Sequence, residues 1–222
     1  MMRLTRVLNA GCWVLGAGVL SASLAAAPAR FPDPAFDPKP ATAGPQTAVL
    51  AGGCFWGVEG VFERLGGVSN VVSGYSGGNK VTAHYEVVET GTTGHAESVQ
   101  ITYDPAKISY GTLLKVFFAV AHDPTELNRQ GPDEGTQYRS SIFYSTPDQK
   151  TVAEAYIHQL DAAKIFRQPI VTKVVPLDGF YPAEAYHQHF LDNHPDYPYI
   201  VYNDLPKIEQ LKALFPELLK KK

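Results

Sequence analysis

Between Thr47 and Gly67 the apolar pattern changes its period once, and no other feature limits the fold as strongly. Thr47 to Ala51 is a short apolar run closed by Gly52-Gly53, the form of a buried strand. From there Val58, Val61, Phe62 and Leu65 recur at helical spacing until Gly66-Gly67 stops them. Cys54 therefore stands at a strand-to-helix junction.

The same alternation continues downstream. Val68 to Ser73 reads as a strand, followed by a glycine-rich loop through Ser76-Gly77-Gly78. Glu97, Val99, Ile101 and Tyr103 share one face of an alternating strand that closes at Asp104-Pro105. Ser109 can cap a helix carrying Leu113, Val116, Phe117 and Val120, which stops before Pro124. Tyr138 to Tyr144 alternates again, Thr146-Pro147 opens a helix to about Ala163, and Ile170 to Leu177 forms a further strand. Pro182 starts a short helix to Leu191; beyond Asn193 the chain is irregular until an amphipathic segment follows Pro206. Strands interleaved with two or three helices imply an α+β fold, a mixed sheet with helices packed on one face in the ferredoxin-like split βαβ manner, and a long irregular C-terminal segment.

The first residues read as a processing signal. Arg3 and Arg6 precede an uncharged stretch from Ala10 to Ala27, apolar through Leu20, that ends in Ala25-Ala26-Ala27. That is the order of a secretory signal peptide over residues 1–27. An uncleaved membrane anchor fits less well, because the apolar part falls short of the roughly 20 residues a spanning helix needs. A lipoprotein signal fits less well still, since Cys12 precedes the apolar run. Export to the periplasm is the expectation, with no stable membrane insertion after cleavage. Residues 28–46, rich in proline from Pro32 to Pro45, read as an extended linker, and residues 47–222 as one monomeric catalytic domain. With 19 basic against 22 acidic residues the net charge is −3, and losing Arg3 and Arg6 leaves 17 against 22, or −5. A phosphate backbone is not the partner of such a chain.

Cleavage also removes Cys12, Met1, Met2 and Trp13, leaving one cysteine, one tryptophan and no methionine. A lone exported cysteine is either an inert buried thiol or a reactive one. The neighbours of Cys54 favour reactivity: at a helix start the dipole and unpaired backbone N–H groups favour thiolate. Phe55 and Trp56 cannot both face the core from one helix, so at least one is free to wall an apolar pocket, although packing alone explains either taken singly.

The string Gly52-Gly53-Cys54-Phe55-Trp56-Gly57 resembles the active-site signature of A-type methionine sulfoxide reductases. The resemblance continues through Gly74-Tyr75-Ser76-Gly77-Gly78, Gly94-His95-Ala96-Glu97 and Asp133-Glu134-Gly135-Thr136-Gln137-Tyr138-Arg139-Ser140. It closes with Tyr186-His187-Gln188 and Asn193-His194-Pro195, spanning about Thr47 to Tyr199. It implies thiol-dependent reduction of methionine S-sulfoxide, free or in oxidised proteins, as a repair activity against oxidative stress. It implies Cys54 as nucleophile, Glu97 as acid, Tyr85 and Tyr138 as hydrogen-bond donors to the sulfoxide oxygen, Phe55 and Trp56 as holders of the substrate methyl group, and a supporting role for Asp133.

The chemistry agrees with that casting. Sulfoxide sulfur is a poor electrophile until its oxygen is protonated, so the site needs an acid still neutral near pH 7. Glu97 heads an apolar strand face, where desolvation raises a carboxyl pKa; without the motif, a solvated charge at a strand end is an equal reading. Tyrosines donate without ionising, but a chain with 12 of them also uses tyrosine for sheet packing. His95 reads as structural, and His187 with His189, two apart, as facing different ways, so no metal and no organic cofactor is implied. The departure from the family lies in the tail, where Ile200 follows Tyr199 and no cysteine appears again. The sulfenic acid formed on Cys54 must then meet an outside thiol, thioredoxin-like, glutaredoxin-like or small. Three other readings remain open at this point: a single-cysteine peroxidase, a Cys-His hydrolase and a non-catalytic aromatic-lined peptide-binding module.

Overall fold

A computed structural model describes residues 31–39 and 44–221 of the chain. The signal peptide assigned to residues 1–27 lies outside the described residues, as do residues 28–30 and 40–43 of the linker. In chain order the elements are β1 (Gln46–Gly52), α1 (Phe55–Glu63), β2 (Val68–Ser76), α2 (Tyr85–Val88), β3 (Ala96–Tyr103), α3 (Tyr110–Val116), β4 (Arg129–Gln130), β5 (Asp133–Glu134), β6 (Ser140–Tyr144), α4 (Pro147–Ala162), β7 (Lys173–Pro176), β8 (Phe180–Pro182), α5 (Phe190–Asn193) and α6 (Leu205–Leu214).

Six strands form one sheet in the order β7-β6-β1-β3-β2-β8, and β4 and β5 pair separately. The four central strands are antiparallel, with Leu50 opposite both Val99 and Ile142. β1, α1 and β2 thus form a split βαβ unit with β3 inserted between its strands. β7 adds in parallel to β6, and β8 antiparallel to β2. Alternation along β1 sends Ala48 and Leu50 into the main core with the apolar residues of α1, α3, α4 and α6. Val49 and Ala51 point the other way, into a small cluster with Ala96 and Phe143 against which Val175, Leu177 and Phe180 pack. The α+β class, with helices on one face, is as the pattern requires.

The local signals behave as their chemistry dictates. Ser109 accepts the Thr112 N–H at the start of α3, and Thr146 accepts the Gln149 N–H at the start of α4 with Pro147 in its first turn. Four expectations change. Tyr138 leaves the strand and sits in a 3-10 turn, Thr136–Tyr138, because both faces of β6 are covered and its residues are buried without alternation from Ser140 to Phe143. β7 is shorter than Ile170 to Leu177. Pro182 ends a strand instead of starting a helix, and a 3-10 turn and the short α5 replace that helix up to Leu191. The tail after Tyr199 is ordered too: a π turn, Ile200–Asp204, leads directly into α6.

The proline-rich segment is packed where it is described. Tyr156 donates to the Pro32 carbonyl at 2.6 Å, and Gln159 brackets the segment by accepting the Ala35 N–H and donating to the Asp33 carbonyl, both at 2.8 Å. Asp37 accepts the Gly111 N–H in the first turn of α3 at 3.0 Å, an anionic cap beside the neutral hydroxyl of Ser109. Residues 31–39 therefore lie as a strap across α3 and α4. At the other end Gly66 N–H donates to Leu218 and Lys220 N–H to Arg64, clipping the C-terminal turn to the end of α1.

Candidate active site

Gly53 carries the chain from β1 into α1 with φ +89°, and a side chain there would strike Gln130 at 2.4 Å. This tight junction sets Cys54 as the residue capping α1. A pocket of about 270 Å³ opens beside it, and its lining includes all seven residues read from the sequence: Cys54, Phe55, Trp56, Tyr85, Glu97, Asp133 and Tyr138. Strand β3 brings Glu97 in from below, α2 contributes Tyr85, β5 contributes Asp133, and the turn before β6 contributes Tyr138.

Glu97 is 3% exposed and its Oε2 accepts the Phe55 N–H at 2.9 Å, across the first turn of α1. Burial holds its carboxyl well above the usual range; the Phe55 N–H opposes this, while Glu89, Asp133 and Asp204 add to it. A carboxyl kept neutral near pH 7 is what sulfoxide protonation requires. Cys54 departs from the sequence reading. Burial pushes its thiol well above the ordinary value, Glu97 once ionised, Asp204 and Asp133 push it further, and the Trp56 backbone N–H opposes them. The helix start favours an anion, but desolvation and three carboxyl groups outweigh it, so the resting sulfur is a thiol.

The aromatic wall is organised by contacts distant in sequence. The Trp56 indole stacks on Phe190 at 3.8 Å between centroids and 11° between planes, and its Nε1–H donates to His187 Nδ1 at 3.1 Å. Phe55 is fully buried between Tyr75 and His187. Both aromatics therefore serve packing, while each also lines the pocket. The Tyr138 hydroxyl donates to Glu89 at 2.8 Å. Tyr85 is anchored through its backbone N–H to Glu184, and no hydrogen bond of its hydroxyl is found among the described residues. Tyr85 is the readier donor of the two.

Sequence reasoning missed Glu89, Tyr197 and Tyr199, which complete the pocket. Tyr199 donates to Asp133 and stands edge-on to Trp56, so Asp133 holds the tail in place. The alternation of tyrosine with proline at Tyr197-Pro198-Tyr199 was a usable signal for those two; Glu89 had none. His95 is structural as read, 1% exposed, its ring bonded to the Gly78 N–H and facing the Asn79 carbonyl. His187 and His189 do serve different places, though neither lies on an α-helix: His187 ends the 3-10 turn Ala185–His187 and His189 precedes α5. Glu59, Glu63 and His189 bring their ligand atoms together: His189 pairs with Glu63 at 2.5 Å and its backbone N–H donates to Glu59 Oε2, while Glu59 Oε1 is buried with no hydrogen-bond partner among the described residues. No histidine bonds to the Cys54 sulfur among the described residues, so the pairing that a Cys-His hydrolase needs is missing there.

Comparison with known proteins supplies the class first. The family model described as peptide methionine sulfoxide reductase matches residues 46–218, from β1 to the last turn of the tail, and makes the chain an oxidoreductase. Peptide methionine sulfoxide reductase MsrA 2 of Mesorhizobium japonicum is 62% identical over 182 residues, 82% of this chain and 93% of its own. The protein of the same name from Synechocystis is 52% identical over 193 residues, 86% and 90% of the two chains. Methionine sulfoxide reductase A of Corynebacterium diphtheriae superposes with a TM-score of 0.59 at 36% identity, over 70% of this chain and 77% of its own. The chain belongs to the A-type peptide methionine sulfoxide reductase family, and it reduces methionine sulfoxide.

Proposed function

We propose that Cys54 attacks the sulfoxide sulfur of an S-epimer methionine sulfoxide while Glu97 protonates its oxygen. The oxygen passes to the cysteine sulfur, so that one thiol and one sulfoxide become one sulfenic acid and one methionine. Two equivalents of an outside thiol then return Cys54 to the thiol, releasing water and a disulfide. The observation that carries this reading is the buried Glu97 carboxyl bonded to the Phe55 N–H in the pocket that Cys54 lines. Tyr85 and Tyr138 share the oxygen with Glu97, Phe55 and Trp56 receive the methyl group, and Asp133 supports the rim through Tyr199.

The order of events follows from the charge balance. Cys54 and Glu97 are both held protonated by burial, so a substrate oxygen that accepts the Glu97 proton is the means by which the site accommodates negative charge on sulfur. The reductant is a thioredoxin-like, glutaredoxin-like or small thiol, and no cofactor takes part. The substrates are oxidised proteins or the free amino acid, and the role is repair under oxidative stress. We place the protein in the periplasm, after removal of residues 1–27, on the strength of Arg3, Arg6 and the apolar run to Ala27. No helix among the described residues is long and apolar enough to cross a membrane.

A racemic methionine sulfoxide peptide with dithiothreitol, followed by chiral separation, tests the reaction. Half the substrate should be consumed, as one epimer, and Cys54→Ser should abolish it with the circular dichroism unchanged. Turnover by the serine variant, or loss of both epimers, would overturn the assignment.

A further inference from the structure

The C-terminal segment touches α1 at one point where chemistry, not packing, is at stake. Gly57 is buried in the first turn of α1, three residues after Cys54. A Cβ at Gly57 would lie 2.0 Å from Asp204 Oδ1 and 2.9 Å from Lys207 Nζ. Glycine is required there because a carboxylate and an ammonium group from the tail rest on the helix backbone. Asp204 is wholly buried, its Oδ1 takes Lys207 Nζ at 3.1 Å, and its Oδ2 has no hydrogen-bond partner. A buried carboxylate left half satisfied is costly for a structural clamp alone.

We propose that Asp204 and Lys207 are positioning residues that set the charge on the Cys54 sulfur through the first turn of α1, Asp204 holding it as a thiol and Lys207 limiting that hold. The N-terminus of a helix favours one anion, and two compete for this one. Asp204 faces it from the tail with Cys54 at the cap. The other titratable groups around the sulfur are Glu97 from β3 and Asp133 from β5, both acidic, with Glu89 beyond them, and the phenols of Tyr85 and Tyr199, which burial holds towards their neutral form. Burial holds the Asp204 carboxyl above its usual range, and Lys207, a cation that faces Asp204 and Asp133, opposes this and favours the carboxylate. The histidine on this side of the pocket, His187, is held towards its neutral form by burial. Burial and these carboxylates raise the Cys54 thiol together, with Asp204 third after burial and Glu97. The consequence suits a site with one thiol, because a thiol reacts with peroxide far less readily than a thiolate, and among the described residues no second cysteine is at hand to capture a Cys54 sulfenic acid before it oxidises further.

The inference rests on Cys54 being the nucleophile, and its test reads the sulfur directly. The rate of carbamidomethylation of the Cys54 peptide by iodoacetamide is followed against pH in the intact protein and in Asp204→Asn, Lys207→Met and Lys207→Arg. Both of the first two break the same ion pair. The expected result is opposite shifts: the midpoint falls by about one pH unit in Asp204→Asn and rises in Lys207→Met, while Lys207→Arg stays with the parent. The pH profile of sulfoxide kcat/KM should follow the same order. Shifts in one direction for both variants, or no shift in either, would show a structural clamp and overturn the proposal. Should Asp204→Asn not fold, a rise of the midpoint in Lys207→Met that Lys207→Arg does not share supports the proposal, and a fall, or the same midpoint in both, overturns it. Failure of the underlying reading appears separately, as sulfoxide turnover by Cys54→Ser.

Discussion

Replacing Glu97 with glutamine isolates a single proton. The two side chains are isosteric, and the amide oxygen of glutamine can keep the 2.9 Å bond from the Phe55 N–H, so the 3% exposed site has no reason to collapse. What is lost is the transferable proton. A general acid contributes about 10²- to 10⁴-fold, which at 1.36 kcal/mol per decade is about 3–5 kcal/mol of barrier. The carboxyl is held well above its usual range, chiefly by burial, so the parent rate should fall as pH rises through that raised value and the variant should lack this limb. The sign for stability is fixed likewise. A carboxyl raised in the fold stabilises it fully below the unfolded pKa, and the benefit is lost as pH rises through the folded one. Glu97→Gln should therefore melt higher than the parent at pH 9 and no higher at pH 5. Removing the negative charge also relieves Cys54, so alkylation of its thiol at high pH should quicken while sulfoxide turnover slows. Stopped-flow turnover, iodoacetamide kinetics and thermal melts over pH 5 to 9 measure all three. Turnover within twofold of the parent, or alkylation slowed together with turnover, would refute the reasoning.

Other outcomes are as definite. Without reductant each molecule should release about one methionine and stall, and dimedone should trap a sulfenic acid on the Cys54 peptide; two methionines per chain would contradict a single-thiol scheme. The Trp56 indole stacks on Phe190 and donates to His187 at the pocket wall, so its fluorescence should shift when sulfoxide binds and when Cys54 oxidises, and a silent spectrum at saturation would detach Trp56 from the substrate. Asp37→Ala leaves the Gly111 N–H of α3 without its acceptor and should cost about 1 kcal/mol, or roughly 2–4 °C in melting temperature, with turnover unchanged; an unchanged melt would show that the strap contributes nothing.

The nearest-neighbour chemistry of the chain was legible because it acts over a few residues. The glycine-bounded junction before Cys54, the caps at Ser109 and Thr146 and the alternation of β3 depend on local periodicity and local hydrogen bonds, and all stand where the sequence places them. The seven candidate residues were named from motifs, and the structure brings all seven to one pocket. What the sequence could not state is the environment those residues acquire. The Phe55 bond to Glu97 spans 42 positions, the Tyr199 bond to Asp133 spans 66 and the Trp56 bond to His187 spans 131. Periodicity carries no information over such distances. For the same reason Asp204 and Lys207 read as ordinary tail charges until α6 folds back on Gly57, and the proline-rich segment reads as a free linker until Tyr156 and Gln159 bind it. The Cys54 thiol shows the division most clearly. Sequence determined that the Cys54 sulfur caps a helix, where the dipole alone favours thiolate. Only the tertiary structure, by burying that sulfur among three carboxyl groups, decided that it rests as a thiol, because desolvation and charge depend on what surrounds an atom in space and not on what precedes it in the chain.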